Sequence, residues 1–201
     1  GEPSDINSHP HGNKRVSIVH NGIIENYDKI KSFLIEQGYS FVSQTDTETV
    51  AKLLDYYYNG NPMETIVKVL GDIEGSYALG ILFKDFPDTV YAVRKDSPMI
   101  VGVGDDEAFI ASDIPAFLKY TNKYYLLEHD EIVVLKDGKA DIFDKHGLPI
   151  QKELMVANWD MEAAEKGGYE HFMLKEINEQ PTAITNTISP RIVDGMPCLE
   201  E

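Results

Sequence analysis

The sequence predicts an α+β fold in which helices and consecutive antiparallel strands form separate layers. Three observations support this. Before Gly75 the chain carries apolar stripes at helical spacing, whereas after it short apolar and β-branched runs follow one another at close intervals. The length of 201 residues is sufficient for one large domain with its own core.

The first part of the chain is predicted to be mainly helical. A strand is expected at residues 15–20, and the apolar residues that follow predict a helix from residue 23 to 34. The Asn21-Gly22 pair between them predicts a turn from strand to helix, because it tolerates positive φ. A second strand is expected at residues 40–44. The spacing of Thr45 and Glu48 predicts a capping box and a second helix, and Pro62 predicts the start of a third.

The second part is predicted to consist of strands. Residues 77–83 are nearly all apolar, which is typical of a strand covered on both faces. Asp137-Gly138 indicates a hairpin, and a helical turn is expected within residues 114–120. Further strands are expected at residues 89–94, 99–103, 107–111, 123–127, 131–135 and 140–143.

The end of the chain has weaker patterns. Residues 149–168, which contain Trp159, are predicted to form an extended or partly helical connector, because their periodicity is poor. Helical character returns over residues 172–186, and Pro181 is expected to interrupt it.

Composition excludes several kinds of partner. Eighteen Lys and Arg against 34 Asp and Glu give a formal net charge of −16, which disfavours nucleic acid and anionic membrane surfaces. No apolar run approaches the roughly 20 residues that cross a bilayer. The single cysteine, Cys198, cannot form an intrachain disulfide, so we expect a cytoplasmic protein.

We expect neither a metal nor a cofactor. No further ligand follows His9 and His11 at a convincing spacing. The glycines of Gly102-Val103-Gly104 lack the helix that a phosphate cradle requires.

Two short motifs could carry chemistry. Asn21-Gly22 is either an ordinary turn or a pair of hydrogen-bond donors, one side-chain amide and one unhindered backbone N–H, for a developing oxyanion. Asp46, in Thr45-Asp46-Thr47-Glu48, is either a partner of a helix N-terminus or a carboxylate that holds a substrate ammonium group.

Several segments together resemble a known family. The chain is similar to the glutaminase domains of class II glutamine amidotransferases, and in particular to those of glucosamine-6-phosphate synthases. The matching segments, which keep the family's order, are Gly1-Glu2-Pro3-Ser4, His9-Pro10-His11, His20-Asn21-Gly22-Ile23-Ile24-Glu25-Asn26, Ser43-Gln44-Thr45-Asp46-Thr47-Glu48, Phe109-Ile110-Ala111-Ser112-Asp113, Ile142-Phe143-Asp144 and His171-Phe172-Met173-Leu174-Lys175-Glu176-Ile177 with Glu179-Gln180-Pro181.

The resemblance implies a fold and a site. The fold would be the four-layer αββα sandwich of N-terminal-nucleophile (Ntn) hydrolases. Asn21 and Gly22 would form the oxyanion hole, and Asp46 with Gly22 would bind the substrate L-glutamine. Residues 1–168 would be the glutaminase domain, and residues 169–201 a linker toward a sugar-phosphate isomerase domain of the same parent chain. In that parent, ammonia from glutamine would convert fructose 6-phosphate to glucosamine 6-phosphate.

The sequence departs from the family's pattern in one respect. The family's nucleophile is an N-terminal cysteine whose α-amino group is the base, and an Arg-Trp-x-Thr-His segment grips the glutamine carboxylate. Neither is among these 201 residues, and Cys198 has no activating neighbour. We therefore expect an N-terminally truncated domain that is inactive when isolated.

One further expectation follows from the truncation, and two alternative functions stay open. Open strand edges and an uncovered apolar face would favour a homodimer or an edge-paired oligomer. As alternatives, the chain would be a non-catalytic fragment that keeps only a binding or assembly surface, or the glutaminase domain of another class II amidotransferase.

Overall fold

The computed structural model describes residues 2–157, 167–193 and 196–198. The chain divides into two compact units, Gly1–Ala157 and Asn158–Glu201. The residues predicted to carry chemistry, Asn21, Gly22 and Asp46, all lie in the first unit.

In the described part of the first unit, two strands precede three consecutive helices, whereas the sequence predicted a strand between the first and second helices. Its helices are α1 (Tyr27–Glu36), α2 (Asp46–Tyr57) and α3 (Pro62–Asp72). Its strands are β1 (His11–Gly12), β2 (Val16–Ile24), β3 (Gly75–Phe83), β4 (Thr89–Lys95), β5 (Ile100–Val103), β6 (Ala108–Ala111), β7 (Lys123–Leu126), β8 (Ile132–Lys136), β9 (Lys139–Phe143), β10 (Pro149–Ile150) and β11 (Met155–Val156).

The strands form two antiparallel sheets. The larger has the order β1-β2-β3-β4-β8-β9-β10, and the smaller has the order β11-β7-β5-β6. The chain leaves the large sheet after β4, builds most of the small sheet, and returns as β8. Asp137 and Gly138 both have positive φ in the turn between β8 and β9, so the predicted hairpin is confirmed.

The two sheets and the helices pack as layers. One face of the large sheet packs against the helices through a core that includes Ile18, Leu34, Leu54, Ile66, Leu79 and Ile81. Its other face contributes Ala78, Ala92 and Val133 to a second core with Val101 and Leu127 of the small-sheet segment. Strand β3 supplies both cores, so it is covered on both faces as predicted except at Leu82, which is 45% exposed. On the small sheet, a single 3-10 turn, Ile114–Ala116, and Phe117 form a third cluster.

Two local predictions were wrong. Strand β2 does not end before Asn21-Gly22 but runs through it to Ile24, because Gly22 pairs with Tyr77 of β3 and this pairing prevails over the turn preference of Asn-Gly. Residues 40–44 are not a strand. The N–H groups of Val42 and Ser43 donate to the Glu48 carboxylate instead of to a sheet.

The second unit consists mainly of α4 (Phe172–Ile188), with the short strands β12 (Ile192–Val193) and β13 (Met196–Pro197). The predicted interruption at Pro181 was also wrong, since the helix is continuous through it. Residues 158–166, with Trp159, lie outside the described residues, so that part of the connector prediction is not addressed. In the described part of the chain, no helix has the length and apolarity needed to cross a membrane.

Candidate functional site

The candidate site lies along one edge of strand β2. Strand β1 pairs with β2 only at Ser17 and Ile18, so the later residues of β2 have no strand neighbour on that side within the described part of the first unit. The Ile24 N–H points to this edge and donates to Asp46 Oδ2 at 2.8 Å. By the alternation of N–H directions along a regular strand, we expect the Gly22 N–H, two residues earlier, to face the same edge.

Asp46 faces this edge from the first turn of α2. Thr45 is the N-cap, and its side chain accepts from the Glu48 N–H, so the predicted helix start is confirmed. Asp46 Oδ1 accepts from the Thr47 N–H at 2.9 Å, and its side chain is 23% exposed. A carboxylate fixed by two N–H groups and still open to solvent has lone pairs left for a ligand ammonium.

The Gly22 N–H lies along β2 from the Ile24 N–H that donates to Asp46. Gly22 and Ile24 are two residues apart on the strand, which corresponds to about 7 Å. A group bound to the Gly22 N–H would therefore lie two residues along β2 from the Ile24 N–H that contacts Asp46. Gly22 and Asp46 thus lie beside the same stretch of β2, and Gly22 belongs to a strand and not to the predicted turn.

Gly22 requires the absence of a side chain. Its φ is 128°, and a Cβ added there would lie 2.1 Å from the Ser76 carbonyl oxygen and 2.9 Å from Ser97 Oγ. Ser76 and Ser97 are themselves joined by a 2.9 Å hydrogen bond between their hydroxyl groups. Any larger residue would displace this pair or push β2 away from β3.

Asn21 projects from the sheet face opposite the helices. Its side chain is exposed, and Nδ2 donates to Ser112 Oγ at 3.2 Å. Asn21 and Ser112 line a cavity of about 150 Å³, whose wall also includes His9, His20 and Met99. The side-chain amide therefore opens into a small, partly polar space next to the edge that carries the Gly22 N–H.

His20 of β2 is buried and contacts the first turn of α2. It is 5% exposed, and its Nδ1 lies 3.1 Å from Thr47 Oγ1 and 4.0 Å from Asp46 Oδ2. Burial lowers the pKa of His20, and the nearby Asp46 carboxylate opposes this shift only in part. Nε2 is buried and has no hydrogen-bond partner among the described residues. A neutral imidazole at this position orients the first turn of α2 relative to β2.

Glu48 has a larger role than the sequence indicated. The capping-box spacing suggested only a helix start, but the buried Glu48 carboxylate accepts from the Ser43 N–H at 2.7 Å and from the Val42 N–H. Lys52 Nζ lies 3.2 Å away. These contacts lower the pKa of Glu48 despite its burial. Glu48 thus ties the loop before α2 to the helix that presents Asp46.

The remaining candidates have structural contacts. His11 is buried, with Nε2 3.1 Å from Thr45 Oγ1, next to the N-cap of α2. Cys198 lies in the second unit, and its backbone N–H donates to the Arg191 carbonyl. Over the described ranges, no group of three His, Cys, Asp or Glu residues is arranged to hold a metal ion.

An apolar face adjoins the site. Val19 and Ile23 of β2 and Leu82 of β3 are 45%, 66% and 45% exposed. Val19 and Leu82 line a cavity of about 330 Å³ together with Pro10, Gly80 and Ile110. This part of the large sheet has an apolar surface on the side where Asn21 projects.

A family model described as "Glutamine amidotransferase domain" matches residues 6–119, a range that contains Asn21, Gly22 and Asp46. Curated proteins named glutamine–fructose-6-phosphate aminotransferase [isomerizing] are similar along almost the whole chain. Identity is 58% to the protein of Caldanaerobacter subterraneus subsp. tengcongensis, 52% to that of Clostridium tetani and 40% to that of Thermotoga maritima. These matches cover 96%, 97% and 100% of this chain and 32%, 32% and 34% of the relatives. The chain thus spans about a third of their length.

Solved structures share the fold at low identity. The glutamine phosphoribosylpyrophosphate amidotransferase of B. subtilis matches with a TM-score of 0.60 at 22% identity, over 69% of this chain and 32% of that chain. A glutamine aminotransferase class-II domain protein of Silicibacter pomeroyi matches with a TM-score of 0.54 at 15% identity, over 68% of this chain and 70% of that chain. The expected α+β fold is therefore confirmed, and these solved structures share it.

Proposed function

This chain belongs to the family of glutamine amidotransferase domains, and from that premise we propose that it is the glutaminase domain of a glutamine–fructose-6-phosphate aminotransferase. Residues 1–168 would form this domain, and residues 169–201 would lead toward a sugar-phosphate isomerase domain. The parent protein would act in the cytoplasm. The relatives' names support the acceptor, fructose 6-phosphate.

The strand edge carries this proposal. Glutamine would lie along β2 with its α-ammonium group on Asp46, whose oxygens are already fixed by the Ile24 and Thr47 N–H groups. Its carboxamide would then reach the Gly22 N–H and the Asn21 side-chain amide. Attack of a thiolate on the carboxamide carbon places negative charge on the oxygen, which these two donors stabilise. Ammonia leaves, and water hydrolyses the resulting γ-glutamyl thioester to glutamate.

The nucleophile would come from outside these 201 residues. We propose that an N-terminal cysteine ahead of Gly1 in the intact protein supplies the thiolate, and that its α-amino group is the base. The exposed apolar side chains of Val19, Ile23 and Leu82 support this, because an extended segment placed over them would lie beside Asn21. A polypeptide of only these residues would then lack glutaminase activity, and its uncovered face would favour self-association.

Asp46→Asn in the intact protein tests the assignment. Loss of the carboxylate charge should raise the KM for glutamine on the order of 100-fold, because a charge-assisted contact to the ammonium group is removed. Asp28→Asn is the control: Asp28 is also an acidic residue in a first helical turn, that of α1, and should leave KM unchanged. An unchanged KM in Asp46→Asn would contradict the substrate assignment.

Two further measurements test the nucleophile and the acceptor. The purified 201-residue polypeptide should release no glutamate above background, and turnover would refute the placement of the nucleophile upstream. The intact protein should form glucosamine 6-phosphate from glutamine and fructose 6-phosphate. Formation of phosphoribosylamine from phosphoribosyl pyrophosphate instead would identify another class II amidotransferase.

A further inference from the structure

The side chain of Asn21 is held by a residue from the other sheet. Asn21 lies on β2 of the large sheet, and Ser112 follows β6 of the small sheet, 91 positions later in the chain. The amide of Asn21 is exposed, and the 3.2 Å contact with Ser112 Oγ is the side-chain hydrogen bond that the structure gives it. This contact therefore selects one orientation of an amide that would otherwise rotate in solvent.

Ser112 is itself on a fixed part of the chain. The preceding residue, Ala111, pairs with Ile100 in the small sheet. The following residue, Asp113, caps the 3-10 turn by accepting from the Ile114 N–H at 2.8 Å, and Ile114 is buried. The backbone on both sides of Ser112 is fixed, which places its exposed hydroxyl beside the Asn21 amide. Ser112 thus imposes an orientation on Asn21.

The geometry leaves one amide hydrogen available. The NH₂ group of Asn has two donors, and Ser112 Oγ accepts one of them. The other hydrogen has no hydrogen-bond acceptor assigned to it among the described residues, and Asn21 lines the cavity of about 150 Å³ beside β2. An oxyanion donor is most effective when it is already oriented before charge develops.

We propose that Ser112 is a positioning residue of the glutaminase site, which orients the Asn21 amide toward the oxyanion. This inference rests on the proposed function. It predicts an effect on the chemical step and little effect on glutamine binding, because within residues 2–157 no hydrogen bond or ion pair joins Ser112 to Asp46.

A double-mutant cycle in the intact protein tests the proposal. Asn21→Ala should lower the kcat of glutamine hydrolysis on the order of 100-fold, the usual effect of removing an oxyanion donor. Ser112→Ala should lower kcat roughly tenfold with less than about a twofold change in KM, since the donor remains but is misoriented. In the Asn21→Ala background, Ser112→Ala should have no further effect.

Ser112→Thr is the matched variant, because it keeps the hydroxyl group and should retain most of the kcat. Because Ser112 is exposed, Ser112→Ala and Ser112→Thr should both unfold at the wild-type Tm. A change in kcat would then not result from misfolding. An unchanged kcat in Ser112→Ala would refute the inference. So would an equal loss in the presence and absence of Asn21, or a loss in Ser112→Thr as large as in Ser112→Ala. An unchanged kcat in Asn21→Ala would instead refute the oxyanion role and thus the proposed function.

Discussion

Gly22 and Gly75 lie diagonally across the β2–β3 pair with almost the same backbone φ, 128° and 127°. A Cβ on Gly22 would lie 2.1 Å from the Ser76 carbonyl oxygen, and a Cβ on Gly75 would lie 2.2 Å from the Ile23 carbonyl oxygen. Each glycine therefore permits the other strand's backbone to come close. The close spacing of β2 and β3 thus positions the end of β2, where the Ile24 N–H donates to Asp46 Oδ2.

Gly22→Ala should destabilise the domain more than a positive φ alone explains. A left-handed conformation costs an L-residue about 1–2 kcal/mol, and the clash with the Ser76 carbonyl adds to it. Gly38→Ala is the matched control, because Gly38 has a φ of 90° and a Cβ added there would meet no described atom within 4 Å. Urea unfolding should give a clearly larger loss of unfolding free energy for Gly22→Ala. Equal losses would show that the close approach of the strands is unimportant.

The sequence predicted the layered α+β class and nearly all elements, because apolar periodicity is a local property. It failed where distant contacts decide. Asn21-Gly22 has the preference of a turn, but pairing with β3, more than 50 positions later, keeps it in a strand. Similarly, the backbone of Val42 and Ser43 is satisfied by a buried carboxylate, which no strand propensity could indicate.

The site was predictable only in part. Asn21, Gly22 and Asp46 were proposed from their residue types and from the family's motifs, and their roles stay predictions. The structure places Gly22 and Asp46 beside the same stretch of β2 and the Asn21 side chain on the adjoining sheet face. The sequence could not reveal Ser112 as a partner of Asn21, because their contact depends on how the small sheet packs against the large one. Nor could it show that Gly22 lies in a strand, because this depends on the pairing of β2 with β3, which the sequence does not reveal.

Glu48→Gln should destabilise the loop before α2 and weaken the presentation of Asp46. The charge of Glu48 is stabilised by the Ser43 and Val42 N–H groups and by Lys52. Weakening charge-assisted hydrogen bonds of a buried group should lower the unfolding free energy by about 1–3 kcal/mol. Because the folded pKa of Glu48 is lowered, its contribution is present above pH values of about 4.5 and is lost as pH falls through the folded pKa.

Glu64→Gln is a close control for this change. Glu64 also occupies the third position of a helix, α3, donates its N–H to an N-cap side chain, and pairs with a lysine four residues later, Lys68. Unlike Glu48, its side chain is about half exposed, and among the described residues it binds no preceding loop backbone. Chemical unfolding at neutral pH should show little change for Glu64→Gln. A similar loss in both variants would mean that the helix position, and not the loop contacts, determines the effect.

Tyr77→Phe should test a buried hydrogen bond that anchors β3. The Tyr77 hydroxyl donates to Asp130 Oδ1 at 2.9 Å, and Asp130 has a positive φ in the turn before β8. Burial and this hydrogen bond both raise the pKa of Tyr77. Loss of the Tyr77–Asp130 hydrogen bond should lower the unfolding free energy by about 1–2 kcal/mol.

Tyr91→Phe provides the comparison, because burial alone raises the pKa of that tyrosine. Thermal unfolding should show a smaller decrease in Tm for Tyr91→Phe than for Tyr77→Phe. The opposite order would indicate that the Asp130 contact adds nothing to the stability of the large sheet.

Stability of the domain should fall as the pH decreases below about 6.5, and His20 should be one cause. Burial lowers the folded pKa of His20 below its ordinary value near 6.5. The unfolded chain therefore binds a proton that the folded chain excludes, so that unfolding becomes more favourable as pH falls from about 6.5 toward the folded pKa.

His20→Gln removes this proton linkage. It should flatten the dependence of the unfolding free energy on pH between about pH 7.5 and pH 5, which is above the range in which Glu48 titrates. His146→Gln, the same substitution at an exposed histidine, is the control for the change of residue type. Equal slopes in His20→Gln and the wild type would mean that His20 accepts a proton in the folded domain as readily as in the unfolded chain. In that case a neutral, buried imidazole could not be what orients the first turn of α2 beside Asp46.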